Sequence, residues 1–260
     1  MMIRSGDAAL HVRDQGPRDG PVVLFANSLG TDLRVFDALV AQLPPDLRIV
    51  RYDKRGHGLS DLTPGPYTID MLSDDAIAIC ETLDLRNVTF VGLSIGGLIA
   101  QSFAIKRPDL TQALVLMDTA AKIGTAESWG ERIAALSEGG IAAISDGILP
   151  RWFSPAFLGS PEASQWRNML ERTTLEGYIA CCHALAAADL TEGCTQITCP
   201  AMAIAGALDG STPPELVAET AKLCNATFHI VDDAGHLPCV EKPEAVAALI
   251  RDFLEKTRHD

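Results

Sequence analysis

The chain is predicted to be an α/β protein: a mostly parallel, doubly wound sheet with a helical cap inserted between two strands. Three observations carry that prediction. Six apolar runs recur along the chain, PVVLFAN (21–27), RIVRYD (48–53), NVTFVG (87–92), ALVLMD (113–118), AMAIAG (201–206) and TFHIVD (227–232). Their near-continuous apolar character suits strands covered on both faces, the mark of a parallel sheet. Helical patterns separate most of them, and alternation of that kind builds a doubly wound sheet. Between about 122 and 190 the alternation stops, and Ala-, Glu-, Trp- and Gly-containing helical pieces replace it. A helical insertion between two strands covers the carboxyl edge of the sheet. The expected organisation is therefore a core over 1–122, a cap over 123–190 and the rest of the core over 191–260.

Each element has a local reason. Ile3 to Asp14 reads as a leading hairpin. Over 68–83, Leu72, Ala76, Ile79, Cys80 and Leu83 follow the spacing of one buried helical stripe. The last helix opens with Pro243 in its first turn and carries Val246, Leu249, Ile250, Phe253 and Leu254 on one face. A chain of 260 residues buries enough core to fold without staples. Seven scattered cysteines with no Cys-x-x-Cys pair fit reduced, packed thiols rather than zinc or redox motifs.

Charge narrows the function classes. With 21 basic and 34 acidic residues the formal net charge is −13, and the pI is near 4.8. No Lys/Arg-rich stretch offsets it, which argues against nucleic-acid and anionic-membrane partners. An anionic substrate would need cations supplied inside its own pocket. The start, MMIRSGDAAL, has no apolar core of a secretory signal, and no apolar run approaches the roughly 20 residues of a membrane span. A cytoplasmic protein is expected. A homo-oligomer is left open.

The chemistry begins at Gly92-Leu93-Ser94-Ile95-Gly96, where NVTFVG runs into the helical LIAQSFAIKR. By chance alone, Gly-x-Ser-x-Gly arises in about one chain in ten of this length at ordinary residue usage, so the strand-before, helix-after context is the informative part. A sharp strand-to-helix turn holds a serine Oγ proud of the sheet at a helix N-terminus, where backbone N–H groups favour negative charge. A serine nucleophile needs a base, and the base an orienting acid. His236, in Asp233-Ala234-Gly235-His236 just past the strand TFHIVD, lies at the same sheet edge. His11 and His229 fall in strands, His183 in the insertion, His259 in the tail, and His57 precedes the serine. Asp209, after the strand AMAIAG, can accept from His236 Nδ1 and leave Nε2 for Ser94. Asp118, ending ALVLMD, is the rival acid.

Developing negative charge needs donors. The backbone N–H groups of Ile95, after the serine, and of Leu29, in Ser28-Leu29-Gly30-Thr31, are the candidates. No His, Cys or carboxylate set has metal spacing and no Gly-x-Gly-x-x-Gly follows the first strand. Neither metal nor other cofactor is expected.

With these residues in place the chain resembles the α/β-hydrolases over essentially its whole length. The resemblance includes Asn27-Ser28-Leu29-Gly30, where most relatives have His-Gly-x-Gly, and Tyr52-Asp53-Lys54-Arg55-Gly56-His57-Gly58-Leu59-Ser60. It continues through the serine turn, Asp209 with Thr212-Pro213, and Ala234-Gly235-His236 with Glu241-Lys242-Pro243. More narrowly, NSLGTDLRVFD (27–37), RYDKRGHGLSD (51–61), GLSIGGLIAQ (92–101) and LPRWFSPAF (149–157) are similar to the 3-oxoadipate enol-lactonases. That resemblance implies a catabolic serine hydrolase of the β-ketoadipate pathway, opening a small anionic lactone through an acyl-enzyme. The substrate carboxylate then needs a cation, and the cap offers Arg132, with Trp129 and Trp152 as walls, and Arg151 behind them. A general short-chain carboxylesterase and a cofactor-free perhydrolase share the same serine set. A ligand-binding receptor on a hydrolase fold is the alternative of another class. Epoxide hydrolases and haloalkane dehalogenases need a carboxylate where Ser94 stands.

Overall fold

A computed structural model describes residues 1–257. His259 lies outside the described residues. Eight strands form one sheet: β1 (Met2–Ser5), β2 (Ala8–Gln15), β3 (Val22–Ala26), β4 (Arg48–Tyr52), β5 (Val88–Leu93), β6 (Thr111–Met117), β7 (Ala201–Gly206) and β8 (Thr227–Val231). Their order is β1-β2-β4-β3-β5-β6-β7-β8. β1 and β2 form the expected hairpin and β2 also runs antiparallel to β4. The remaining pairs, from β4–β3 to β7–β8, are parallel.

The apolar runs read from the sequence are these strands. Every residue of β3, β4, β5 and β7 is buried, because helices cover both faces. Helix α1 (Ile69–Thr82) buries the stripe Leu72, Ala76, Ile79 and Cys80. Its N-terminus is closed by Thr68, whose side chain accepts from Met71 N–H. Helix α2 (Ile95–Lys106) leaves β5 directly and is buried along ten consecutive positions. Such all-round burial marks a central helix of the core.

Between β6 and β7 lie α3 (Ala126–Trp152), a short turn over Pro155–Leu158, α4 (Ala163–Glu171) and α5 (Leu175–Ala187). Helix α3 begins with reciprocal bonds between Thr125 and Ser128 and breaks at Gly140 (φ 71°, ψ −177°). Helices α6 (Pro214–Leu223) and α7 (Pro243–Thr257) complete the core. The described cysteines are free, and all but Cys199 are buried. No described helix is long and apolar enough to cross a membrane.

The turn after β4 is tied down by buried charges. Asp53 accepts from Leu33 N–H at 2.7 Å, Leu59 N–H at 2.9 Å and His11 Nδ1 at 2.9 Å. Arg55 grips Asp75 through two bonds of 2.7 and 2.6 Å. Bidentate charge-assisted bonds of this kind fix geometry as well as energy.

Candidate active site

Ser94 sits at φ 58°, ψ −120°, between the end of β5 and the first residue of α2. A non-glycine residue in this region is strained and persists only where its surroundings hold it. Met117 O accepts its N–H at 2.9 Å, and its own carbonyl accepts from Gly97 N–H at 2.8 Å and Thr119 Oγ1 at 2.7 Å. The glycines flanking the turn are steric requirements. A Cβ on Gly92 would stand 2.2 Å from Gly96 O, and one on Gly96 would stand 2.1 Å from Ala26 O. The chain can therefore fold back on itself at Ser94 only with glycine at both places.

His236 follows β8 and Asp209 follows β7, so adjacent parallel strands deliver them to one edge. His236 Nδ1 lies 2.8 Å from Asp209 Oδ2, and both side chains are buried. The remaining lone pairs of Asp209 accept from Ser211 N–H at 2.6 Å, Thr212 N–H at 3.1 Å and Thr212 Oγ1 at 2.6 Å. Burial pushes the Asp209 pKa up, but His236 and these donors outweigh it and hold the carboxyl below its usual range. An ionised acid fixes His236 with Nδ1–H toward Asp209 and Nε2 free. Ser94 and His236 line one cavity, with no hydrogen bond joining them here. Bonds of that kind tighten as a substrate is gripped.

Asp118, the rival acid, behaves differently. It is fully buried, its Oδ1 accepts from Gly206 N–H at 2.8 Å, and Oδ2 has no hydrogen-bond partner. Burial, then the Asp209 charge, raises its pKa well above the usual carboxylate value, so it is neutral. Ligand atoms of Asp118, Asp209 and His236 lie within 4.8 Å of one another. A cation there would have to displace the proton shared by Asp209 and His236, and the neutral Asp118 adds little charge to hold it.

The cavity over Ser94 measures about 340 Å³. Leu29, Trp129, Arg132, Trp152 and Arg151 all line it, as does Tyr178, which the sequence reading missed. Nothing in the spacing of α5 separates Tyr178 from an ordinary buried aromatic. Arg132 Nη1 donates to Tyr178 Oη at 3.4 Å, and its guanidinium lies 5.6 Å from the Trp129 ring centre. Trp129 is itself anchored by Nε1 donating to Ile123 O at 2.6 Å. Arg151 Nε donates to Gly210 O at 3.1 Å. Neither Arg132 nor Arg151 has a carboxylate partner among the described residues, whereas Arg34, Arg48, Arg51, Arg55, Arg107 and Arg167 all do. Ile95 is buried at the first position of α2, its N–H at the helix terminus beside Ser94. A wider groove of about 800 Å³ shares none of these residues. Among its charges Arg34 pairs with Asp32 and Arg13 lies 4.0 Å from Asp37.

The family described as "Alpha/beta hydrolase family" matches residues 23–249. The chain is 38% identical over 256 residues to 3-oxoadipate enol-lactonase 2 of Acinetobacter baylyi, covering 95% of each sequence. It is 34% identical to that organism's 3-oxoadipate enol-lactonase 1, over 95% of this chain and 93% of the other. Among solved structures, the enol-lactonase from Burkholderia xenovorans LB400 superposes with a TM-score of 0.94 at 34% identity, covering 98% of this chain and 100% of that one. An esterase from Thermogutta terrifontis, solved with malate bound, superposes with a TM-score of 0.92 at 29% identity, over 99% of this chain and 98% of that one. With a match running from the first parallel strand into the last helix, the chain belongs to the alpha/beta hydrolase family and is an ester-hydrolysing enzyme similar to 3-oxoadipate enol-lactonases.

Proposed function

We propose that this enzyme opens an enol-lactone bearing a free carboxylate, 3-oxoadipate enol-lactone being the substrate, through an acyl-enzyme on Ser94. The observation that carries the reading is the pair of guanidinium groups, Arg132 and Arg151, without carboxylate partners in the same cavity as Ser94. In a chain of net charge −13 these are the local cations an anionic substrate requires. Similarity to the two enol-lactonases supports the lactone.

The steps follow from the groups present. Ser94 Oγ adds to the lactone carbonyl while His236 Nε2 takes its proton, and Asp209 steadies the imidazolium. The N–H groups of Leu29 and Ile95 receive the oxyanion. Collapse breaks the ring C–O bond and expels an enol oxygen, a better leaving group than an alkoxide, which takes a proton from His236. The enol ketonises within the bound acyl chain. Water, deprotonated by His236, then releases the 3-oxo acid and restores Ser94. The resemblance to the enol-lactonases supports a role in the breakdown of aromatic compounds.

The test is a spectrophotometric assay with enol-lactone generated in situ, beside p-nitrophenyl acetate and butyrate, with Ser94→Ala as blank. Fast lactone loss with feeble ester turnover, abolished in a folded Ser94→Ala, is the expected result. Ester turnover exceeding lactone turnover would make the enzyme a general carboxylesterase, and an active Ser94→Ala would remove the serine mechanism.

A further inference from the structure

Lys54 is 1% exposed and forms no ion pair among the described residues, a rare state for a lysine. It stands on the turn after β4, and its Nζ donates to Ser28 O at 2.5 Å. That carbonyl is crowded with donors. It also accepts from Thr31 Oγ1 at 3.0 Å, Thr31 N–H at 3.3 Å and Asn27 Nδ2 at 3.3 Å. The carbonyl and the N–H of one trans peptide point in opposite directions. The N–H opposite Ser28 O is that of Leu29, a residue lining the Ser94 cavity, and it donates to no group among the described residues. Pinning the carbonyl inward therefore turns the Leu29 N–H outward.

We propose that Lys54 is a positioning residue of the oxyanion hole: its buried ammonium holds and polarises the Ser28–Leu29 peptide, so that the Leu29 N–H is aimed and strengthened as a donor to the oxyanion formed at Ser94. A charged donor on a carbonyl deepens the peptide dipole, and in a water-poor interior the effect carries across the amide. The neighbouring groups fit this role. His57, on the same turn, is kept neutral by burial and by the Lys54 charge. Its Nδ1 lies 3.3 Å from Arg55 O, leaving Nε2 to accept Gly30 N–H at 3.1 Å. The turn thus grips the loop at two successive peptides. Burial lowers the Lys54 pKa to about 8, against the raising effect of Cys181, Asp53 and Asp32. Cys181, on α5, has its thiol pushed up to about 12 by burial and is no counter-charge near neutrality. An ammonium held at that cost, bonded to the carbonyl behind a free N–H, has its use in the transition state. The proposal rests on the Ser94 mechanism but not on which ester is cleaved.

The test is Lys54→Met, assayed on both the lactone and p-nitrophenyl acetate. Losing a whole oxyanion donor costs about 100- to 1000-fold in kcat, so weakening and loosening one is expected to cost about tenfold. KM should stay within about twofold, since the donor acts on the transition state. Affinity for phenylboronic acid, whose tetrahedral adduct on Ser94 fills the hole, should fall in parallel. The Tm should hold or rise, because a buried unpaired charge has gone. A folded Lys54→Met with unchanged kcat overturns the proposal. So does a lower Tm with kcat and boronate affinity untouched, which would mark a merely structural lysine. Should Lys54→Met fail to fold, Thr31→Val removes the 3.0 Å donor from the same carbonyl. It is expected to lower kcat at constant KM by a smaller factor, while Lys54→Gln, which keeps an N–H donor without the charge, should lower it further, and an unchanged kcat in a folded Lys54→Gln overturns the proposal too. An active Ser94→Ala would instead condemn the serine mechanism itself.

Discussion

Two buried aspartates approach one histidine, and exchanging each for asparagine separates their roles. Asp209 Oδ2 receives both His236 Nδ1 at 2.8 Å and Thr212 Oγ1 at 2.6 Å. An amide at that position loses the charge that stabilises the imidazolium and, with its NH₂ toward the ring, favours the wrong tautomer. The expected loss in kcat is about 10⁴-fold, or about 5.4 kcal/mol at 1.36 kcal/mol per tenfold. Asp118 is neutral, its Oδ1 occupied by Gly206 N–H at 2.8 Å. An amide is close in shape to a protonated carboxyl and keeps the Oδ1 acceptor, so Asp118→Asn should change kcat by no more than about threefold, about 0.65 kcal/mol. Steady-state kinetics on the lactone and p-nitrophenyl acetate, with circular dichroism to verify folding, measures both. A folded Asp118→Asn that loses as much as Asp209→Asn refutes the assignment of Asp209 as the acid. Equal, small losses in both would show that His236 needs no carboxylate at all.

The same pair predicts opposite pH dependences of stability. A carboxyl whose folded pKa is raised, as for Asp118, contributes stability that is complete below its unfolded value and is lost as pH rises through the folded one. The Tm of Asp118→Asn should therefore gain on wild type as pH rises above the ordinary carboxylate range; a constant difference would contradict the neutral carboxyl. Asp209, held low, contributes stability present above its unfolded value and lost as pH falls, so Asp209→Asn should lose less Tm than wild type on acidification, read by thermal melts. Arg132→Ala is expected to raise KM for the anionic lactone about tenfold while a neutral ester of similar size changes less than about twofold, since a charge-assisted bond contributes about 1.5–3 kcal/mol. Equal effects on both substrates would return Arg132 to a surface role. Gly96→Ala drives a Cβ to 2.1 Å from Ala26 O, so calorimetry should find Tm lowered by about 5 °C or more, together with lost activity.

Much of the core was legible because burial leaves a one-dimensional trace. Strands such as Val22–Ala26 and Ala201–Gly206 are apolar without interruption because helices cover both faces. The turn at Ser94 was legible because steric exclusion at Gly92 and Gly96 admits one residue type. The order of Ser94, Asp209 and His236 followed from which strands end beside which loops. What stayed hidden depends on contacts between distant segments. Tyr178 reaches Arg132 across the space between two helices, and no periodicity records which aromatic faces a cavity. Arg151, ranked behind Arg132, lines the same cavity because the last turn of α3 passes Gly210. The contacts of Lys54 and His57 stayed hidden too, since a sequence does not show which backbone group a side chain will meet.

The helices that cover the cavity leave the sheet at the end of β6 and return to it at β7, which is β6's immediate neighbour. The chain leaves the carboxyl end of β6 and rejoins β7 at its opposite, amino end, and its two stems are joined where Leu190 N–H donates to Ala121 O at 2.9 Å. The excursion also touches the loop that carries His236, Trp152 O accepting Leu237 N–H at 3.2 Å and Ser154 Oγ donating to Glu241 at 2.5 Å. A transplanted excursion would thus bring a different set of cations and aromatic walls to the serine only if it also remade the contacts beside His236.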